Sequence, residues 1–320
     1  MRRAAWAGAI GFMFAIGWIR GQEPARFESI QSEADGSVQL RLSSAAGNYE
    51  RIEVSTDLNA WTALATARST GEVRHTDAGA SFHDVRYYRA VRVEEPAPLT
   101  GDHLSTTEGD LVIHPINHAS FVMRWNGRMI YNDPVGGSGP YAGLASPDLV
   151  LVSHTHGDHF HAVTLNALVQ AGTTIVAPQA VYTAMPDSLR ALTTVLTNGA
   201  SASLFGLTVE AVPAYNANHP RGSGNGYVLT LGGRRIYMSG DTGDVAEMRA
   251  LADIDVAFLC MNLPFTMSIN QAASAVRDFR PGVVYPYHYR NQDGSFANLG
   301  NFKTMVGTDV EIEIRLRTWY

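Results

Sequence analysis

His154-Thr155-His156-Gly157-Asp158-His159 puts four side chains that can bind a cation into one short turn. Imidazole nitrogen and carboxylate oxygen together suit zinc, and also manganese or iron, without discriminating sharply among them. The turn follows Leu149-Val150-Leu151-Val152, an apolar run that reads as a buried strand. A backbone leaving such a strand and turning sharply aims His154 and His156 at one point, while Asp158 and His159 face a neighbouring one. This spacing predicts a dinuclear metal site.

Two ions sharing a carboxylate need more ligands than the turn supplies. His219 lies in the polar loop after Leu207–Val212, Asp241 follows Arg235–Met238, and His288 follows Val283-Val284-Tyr285-Pro286-Tyr287. Each stands where an apolar strand opens into a loop, the edge at which layered α/β folds form sites. Two cations about 3.5–4 Å apart share a hydroxide at neutral pH and polarise a carbonyl or phosphoryl oxygen. Asp158 is the candidate catalytic residue, orienting that hydroxide or passing a proton to the leaving group. No covalent Ser, Cys or Lys nucleophile is then required, and Cys260, the only cysteine, reads as core.

The elements that must position these groups are legible as periodic runs. Leu111–Ile113, Ser120–Arg124 and Arg128–Tyr131 read as strands, the last two joined by an Asn126-Gly127 hairpin. Leu149–Val152, Thr174–Val176, Leu207–Val212, Tyr227–Leu231, Arg235–Met238, Val256–Leu259 and Val283–Tyr285 continue the series, with helices near Ala162–Ala171, Val245–Leu251 and Asn270–Phe279. Glu311–Arg317 alternates as an edge strand would. Strands interleaved with helices imply an αββα sandwich or another layered α/β arrangement.

With these residues in place, the chain resembles the metallo-β-lactamase superfamily, which carries a His-x-His-x-Asp-His signature on an αββα fold. Its closest likeness there is to the ascorbate-6-phosphate lactonase-like metal-dependent hydrolases. The likeness rests also on Asn117-His118-Ala119-Ser120-Phe121, Tyr131-Asn132-Asp133-Pro134, Val212-Pro213-Ala214-Tyr215-Asn216, His219-Pro220-Arg221-Gly222, Ser239-Gly240-Asp241-Thr242 and Pro286-Tyr287-His288-Tyr289. The resemblance implies that His154, His156 and His219 hold one metal, Asp158, His159 and His288 a second, and Asp241 both. Beside these ligands, Tyr215, Asn216, Arg221 and Tyr289 are candidate substrate contacts. His118 either orients a ligand or caps a turn, Asp133 is expected to orient a ligand or organise its loop, and His161 to be structural. Gly136–Pro140 lacks the Lys-Ser/Thr of a phosphate loop and reads as a rim loop.

Composition bounds the rest. With 45% hydrophobic and 17% charged residues the chain is globular, and a net charge of −6 without a Lys/Arg block argues against a nucleic-acid partner and for a small-molecule substrate. Arg2-Arg3 before the uncharged stretch Ala4–Ile19 reads as an export signal or uncleaved signal anchor over residues 1–22, giving a periplasmic or extracellular protein with a possible membrane tether. Residues 23–95 alternate with period two and read as a small fibronectin- or immunoglobulin-like β-sandwich with Trp61 in its core. The Pro-containing link Glu94–Pro98 then introduces a hydrolase domain over 96–320. Two other functions fit less of the pattern: single-iron oxygen chemistry on the same fold, and a secreted binding or adhesion protein with a structural metal.

Overall fold

The computed structural model describes residues 24–94 and 98–320. The expected signal segment 1–22 and most of the Glu94–Pro98 link lie outside the described residues. Two compact units meet at the Ser105–Thr106 bond, beyond the boundary expected at residue 95.

The first unit has two antiparallel sheets. One orders β1 (Arg26–Ser32), β2 (Val38–Ser43) and β5 (Glu72–Asp77) as β1-β2-β5. The other contains β3 (Tyr49–Ser55), β4 (Thr62–Arg68), β6 (Tyr87–Val93) and β7 (Gly101–Thr106), ordered β7-β4-β3-β6. The β4–β7 pairing of Ala65 with Asp102 and Thr66 with Gly101 carries this unit past the proline link. Alternate residues of the two sheets, Leu40, Leu42 and Val73 against Ile52, Val54 and Leu64, form the core. Trp61 is not among them. It is half-buried at the start of β4, where its indole N–H donates to the Leu58 carbonyl and the Arg89 guanidinium lies 4.3 Å over its ring. A polar N–H and a cation on its face favour this edge position over an apolar core.

The second unit is mixed α/β. Its first sheet runs β13-β12-β11-β10-β9-β8, from β8 (Gly109–Asn117), β9 (Ser120–Trp125), β10 (Arg128–Asn132), β11 (Leu149–Leu151), β12 (Thr174–Ala177) and β13 (Thr193–Val195). Its second runs β14 (Ser201–Leu204), β15 (Leu207–Ala214), β16 (Gly224–Leu231), β17 (Arg234–Met238), β18 (Val256–Cys260), β19 (Val283–Tyr287) and β20 (Glu313–Ile314) in sequence order. Each sheet begins with antiparallel hairpins and ends in parallel strands. Tight hairpins make the first part: Asn126 and Gly127, between β9 and β10, both take positive φ, as a two-residue turn demands. Parallel pairs need crossovers, and these carry α1 (Ala162–Leu168), α2 (Gln179–Ala184), α3 (Asp187–Arg190), α4 (Ala246–Arg249), α5 (Ile269–Phe279) and α6 (Leu299–Val306).

The two sheets meet face to face. Phe121 on β9 stacks on Phe258 of β18 with ring centroids 4.1 Å apart, and the buried Tyr227 hydroxyl donates to the Val152 carbonyl. Helix α5 starts with a reciprocal Ser268–Gln271 capping box and buries Ala272, Ala273, Ala275, Val276 and Phe279, with Phe279 edge-on to Tyr237 of β17. The edge strand expected over Glu311–Arg317 shortens to Glu313–Ile314. Its parallel neighbour β19 contains Pro286, which has no N–H with which to extend the ladder, and Arg315 is buried with its guanidinium on the Tyr285 hydroxyl. What this architecture does for a site is bring strand ends together: β10, β11, β17 and β19 each stop within a few residues of Asp133, His154, Asp241 and His288 respectively.

Candidate metal centre

Strand β11 is wholly buried, and the chain leaves it through Val152 and Ser153 into the His-rich turn. The loop after β15 supplies His219. Asn216 shapes that loop: its Oδ1 accepts the backbone N–H groups of Asn218 and His219, and its Nδ2 donates to the Asp241 carbonyl. Asp241 follows Gly240, whose φ of +56° and closeness to the Asn225 carbonyl, 2.9 Å from where a Cβ would lie, leave room for glycine alone. His288, directly after β19, has φ +47°, and Asp133, directly after β10, has φ +42°. Non-glycine residues held in this region store about 1–3 kcal/mol each, and such strain gathers at functional sites.

The seven sequence-predicted ligands converge. His219 Nε2 and His156 Nδ1 lie 3.0 Å apart, and with His154 they form one group of ligand atoms all within 4.8 Å of one another. Opposite them, His288 Nε2 is 3.0 Å from His159 Nε2 and 3.4 Å from Asp158 Oδ2. Asp241 lies between, with Oδ2 3.8 Å from His154 Nε2 and Oδ1 3.2 Å from His159 Nε2 and 3.3 Å from His288 Nε2.

Partners on the far side fix two of these rings. Asp133, fully buried, accepts from the Ser153 N–H through Oδ1, and through Oδ2 from the Ser153 hydroxyl and His159 Nδ1, each at 2.7 Å. When the ring is neutral, a proton on His159 Nδ1 leaves a lone pair on Nε2 facing Asp241. The Ser153 oxygen is also 3.0 Å from His154 Nδ1. Buried polar atoms are ordinarily satisfied, yet His154 Nε2 has no hydrogen-bond partner among the described residues, and Asp241 Oδ1 meets only the imidazole nitrogens of His159 and His288. A cation bound by nitrogen and oxygen satisfies both.

The field around the cluster separates its members. Burial opposes charge on His159, but the Asp241 and Asp133 carboxylates outweigh it and push its pKa well above the ordinary imidazole value. Burial, reinforced by His159, pushes His154 well below that value, and burial lowers His219 and His118 too. Asp158 and Asp241 are held below the carboxylate range: burial works against this, and the surrounding imidazoles prevail. Most of the candidate ligands are sealed from solvent, but Asp158 keeps 46% of its side chain exposed and His156 is exposed as well. These two mark the open side.

Of the candidate substrate contacts, Arg221 and Tyr215 both engage Glu247, at 2.5 Å and 3.0 Å. Tyr289 is buried against Tyr320 and Phe296. His161 pairs with Thr164 at the start of α1. Two participants escaped the sequence reading, Ser153 and Tyr320, whose hydroxyl lies 2.7 Å from His118 Nδ1. Ser153 was findable as the polar residue between the apolar strand and the first histidine. Nothing in the sequence marks Tyr320.

The model of the beta-lactamase superfamily domain matches residues 113–288, more than half of the chain and a span that includes all seven candidate ligands. The chain belongs to this superfamily. It is also 31% identical over 212 residues to a UPF0173 metal-dependent hydrolase from Thermococcus onnurineus, covering 62% of this chain and 93% of that protein. Among solved structures, a metal-dependent hydrolase from Parabacteroides distasonis is 36% identical with a TM-score of 0.61, covering 68% of this chain and 97% of its own. The metallo hydrolase Igni18 from Ignicoccus hospitalis is 25% identical with a TM-score of 0.57, over 65% and 94% of the two chains. This member of the beta-lactamase superfamily is a metal-dependent hydrolase, and its hydrolase fold lies in the second unit.

Proposed function

We propose that the chain hydrolyses a small ester, lactone, amide or phosphoester at a centre for two divalent cations, zinc by preference. His154, His156 and His219 hold the first, Asp158, His159 and His288 the second, and Asp241 both. The observation that carries this reading is the placement of Asp241, which turns one carboxylate oxygen toward His154 and the other toward His159 and His288. A filled second set supports two cations over a single redox iron, and a ligand set reaching the open side supports catalysis over a closed structural site. When bound, such cations supply hydroxide near neutral pH and polarise the oxygen of the scissile group.

The protein's own residues do the rest. Asp133 holds His159 in the tautomer whose Nε2 faces inward. Asp241, His154, His159 and His288 are buried, so solvent and substrate approach from the side of Asp158 and His156. Asp158, the exposed carboxylate, meets the substrate and is placed to take a proton and pass it to the leaving group. Residues 1–22 are proposed to export the chain, which cell fractionation tests.

A hydrolysis screen of metal-replete protein over lactones, β-lactams, phosphodiesters and N-acyl amides tests the reaction class. Turnover should disappear on chelation and return with added cation. Purified protein that binds no cation after exposure to zinc, manganese and iron would overturn the proposal.

A further inference from the structure

One ring outside the seven ligands touches the centre. His118 lies in the turn between β8 and β9, only 7% exposed, with Nε2 3.0 Å from Asp158 Oδ2 and Nδ1 2.7 Å from the Tyr320 hydroxyl. Its ring is 3.7 Å from that of His288. The geometry points to His118 as a positioning residue for Asp158, locked in its tautomer by Tyr320; this rests on the two-cation reading above.

The hydrogen bonds run in one direction. An ionised carboxylate can only accept, so the proton of a neutral His118 sits on Nε2 and leaves Nδ1 as an acceptor. The Tyr320 hydroxyl must then donate to Nδ1, and its own oxygen accepts the Arg290 backbone N–H at 3.2 Å. Arg290 N–H, Tyr320 O–H and His118 Nε2–H form a matched series ending on Asp158. The backbone holds the ring there at a cost: His118 has φ +56°, its N–H donates to the Trp319 carbonyl, and its carbonyl accepts the His288 N–H.

Asp158 needs such a partner. The other carboxylate of the centre, Asp241, is 6% exposed and enclosed by rings, whereas Asp158 has 46% of its side chain in solvent. Its Oδ2, the atom His118 holds, is also the atom 3.4 Å from His288. Fixing it there presents one oxygen to the second cation and leaves the outward side of the carboxylate toward substrate. Partners of this kind are commonly worth tenfold to a hundredfold in metal affinity.

The test is cobalt(II) titration of chelated full-length protein, reading stoichiometry, the affinity of each equivalent against a competing chelator, and the visible spectrum. His118→Leu should weaken the second equivalent about tenfold to a hundredfold, change its spectrum and spare the first. Tyr320→Phe, which deletes one oxygen, should shift the second equivalent the same way by less. His118→Gln, whose amide restores a donor to Asp158, should recover much of the loss. Wild type taking two equivalents while His118→Leu and Tyr320→Phe bind both as tightly overturns the positioning role alone, as does a His118→Gln variant no better than His118→Leu. Wild type taking one equivalent overturns the two-cation reading and this inference with it. If His118→Leu does not fold, Tyr320→Phe decides by the same measurements.

Discussion

Replacing Asp133 by Asn keeps the shape of the side chain and removes its charge, which isolates what that carboxylate does. Asp133 is fully buried and accepts three hydrogen bonds of 2.7 Å, one from the Ser153 N–H, one from the Ser153 hydroxyl and one from His159. An amide offers one acceptor edge, so two orientations are open. With its NH2 toward Ser153 N–H, a buried donor faces a donor. With its NH2 toward His159, the ring must accept at Nδ1 and carry its proton on Nε2, pointing into the ligand cluster. Charge-assisted bonds exceed neutral ones by about 1 kcal/mol each, and an unsatisfied buried donor costs about 1–3 kcal/mol. The Asp133→Asn protein should therefore lose about 3–5 kcal/mol in urea unfolding under chelation. Its affinity for a second cation should fall tenfold to a hundredfold, so the stability gap to wild type widens by about 1.4–2.8 kcal/mol when cation is added. A loss below about 1 kcal/mol with both cations bound as in wild type would refute the claim that this carboxylate sets the His159 tautomer.

The remaining expectations are briefer. His156→Ala should lose the first cation and Asp241→Ala both, measured by elemental analysis; full metal content in either would remove that residue from the ligand set. Gly240→Ala should destabilise by about 2–4 kcal/mol, combining left-handed backbone strain with a Cβ driven against the Asn225 carbonyl, and chemical denaturation would show it. Cation affinity should rise with pH across the neutral range. The pKa of His159 lies well above 6.5 in the metal-free protein, so a proton must leave before its Nε2 can bind. The same shift contributes stability to the metal-free chain below pH 6.5 that is lost as pH rises through the folded value. Proton release on cobalt addition that does not decline with rising pH would contradict this.

Much of the candidate centre is legible because its expected ligands announce themselves twice, by type and by following an apolar strand. His219, Asp241 and His288 each sit just past a run whose period marks it as β, and a layered fold collects such ends at one edge. Fold elements were readable on the same grounds, with errors where a single residue decides the outcome. Pro286 cuts the last strand short, and Trp61 goes to an edge that its indole N–H and Arg89 favour. Composition marks the proline link, whereas strand pairing carries the first unit on through β7.

What sequence left undecided about His118 has a physical cause. Its partners lie 40 and 202 residues away, and no local period or spacing connects them. A histidine capping a turn and a histidine holding a distant carboxylate look alike until the opposite nitrogen is accounted for. Here that nitrogen meets Tyr320, and the backbone N–H of the same histidine meets Trp319, so the C-terminal segment closes over the strand ends on which the ligands stand. Ligand type tells which residues can bind a cation. The hydrogen bonds of Ser153, Asp133, His118 and Tyr320 orient His154, His159 and Asp158, and those bonds are set by tertiary contacts.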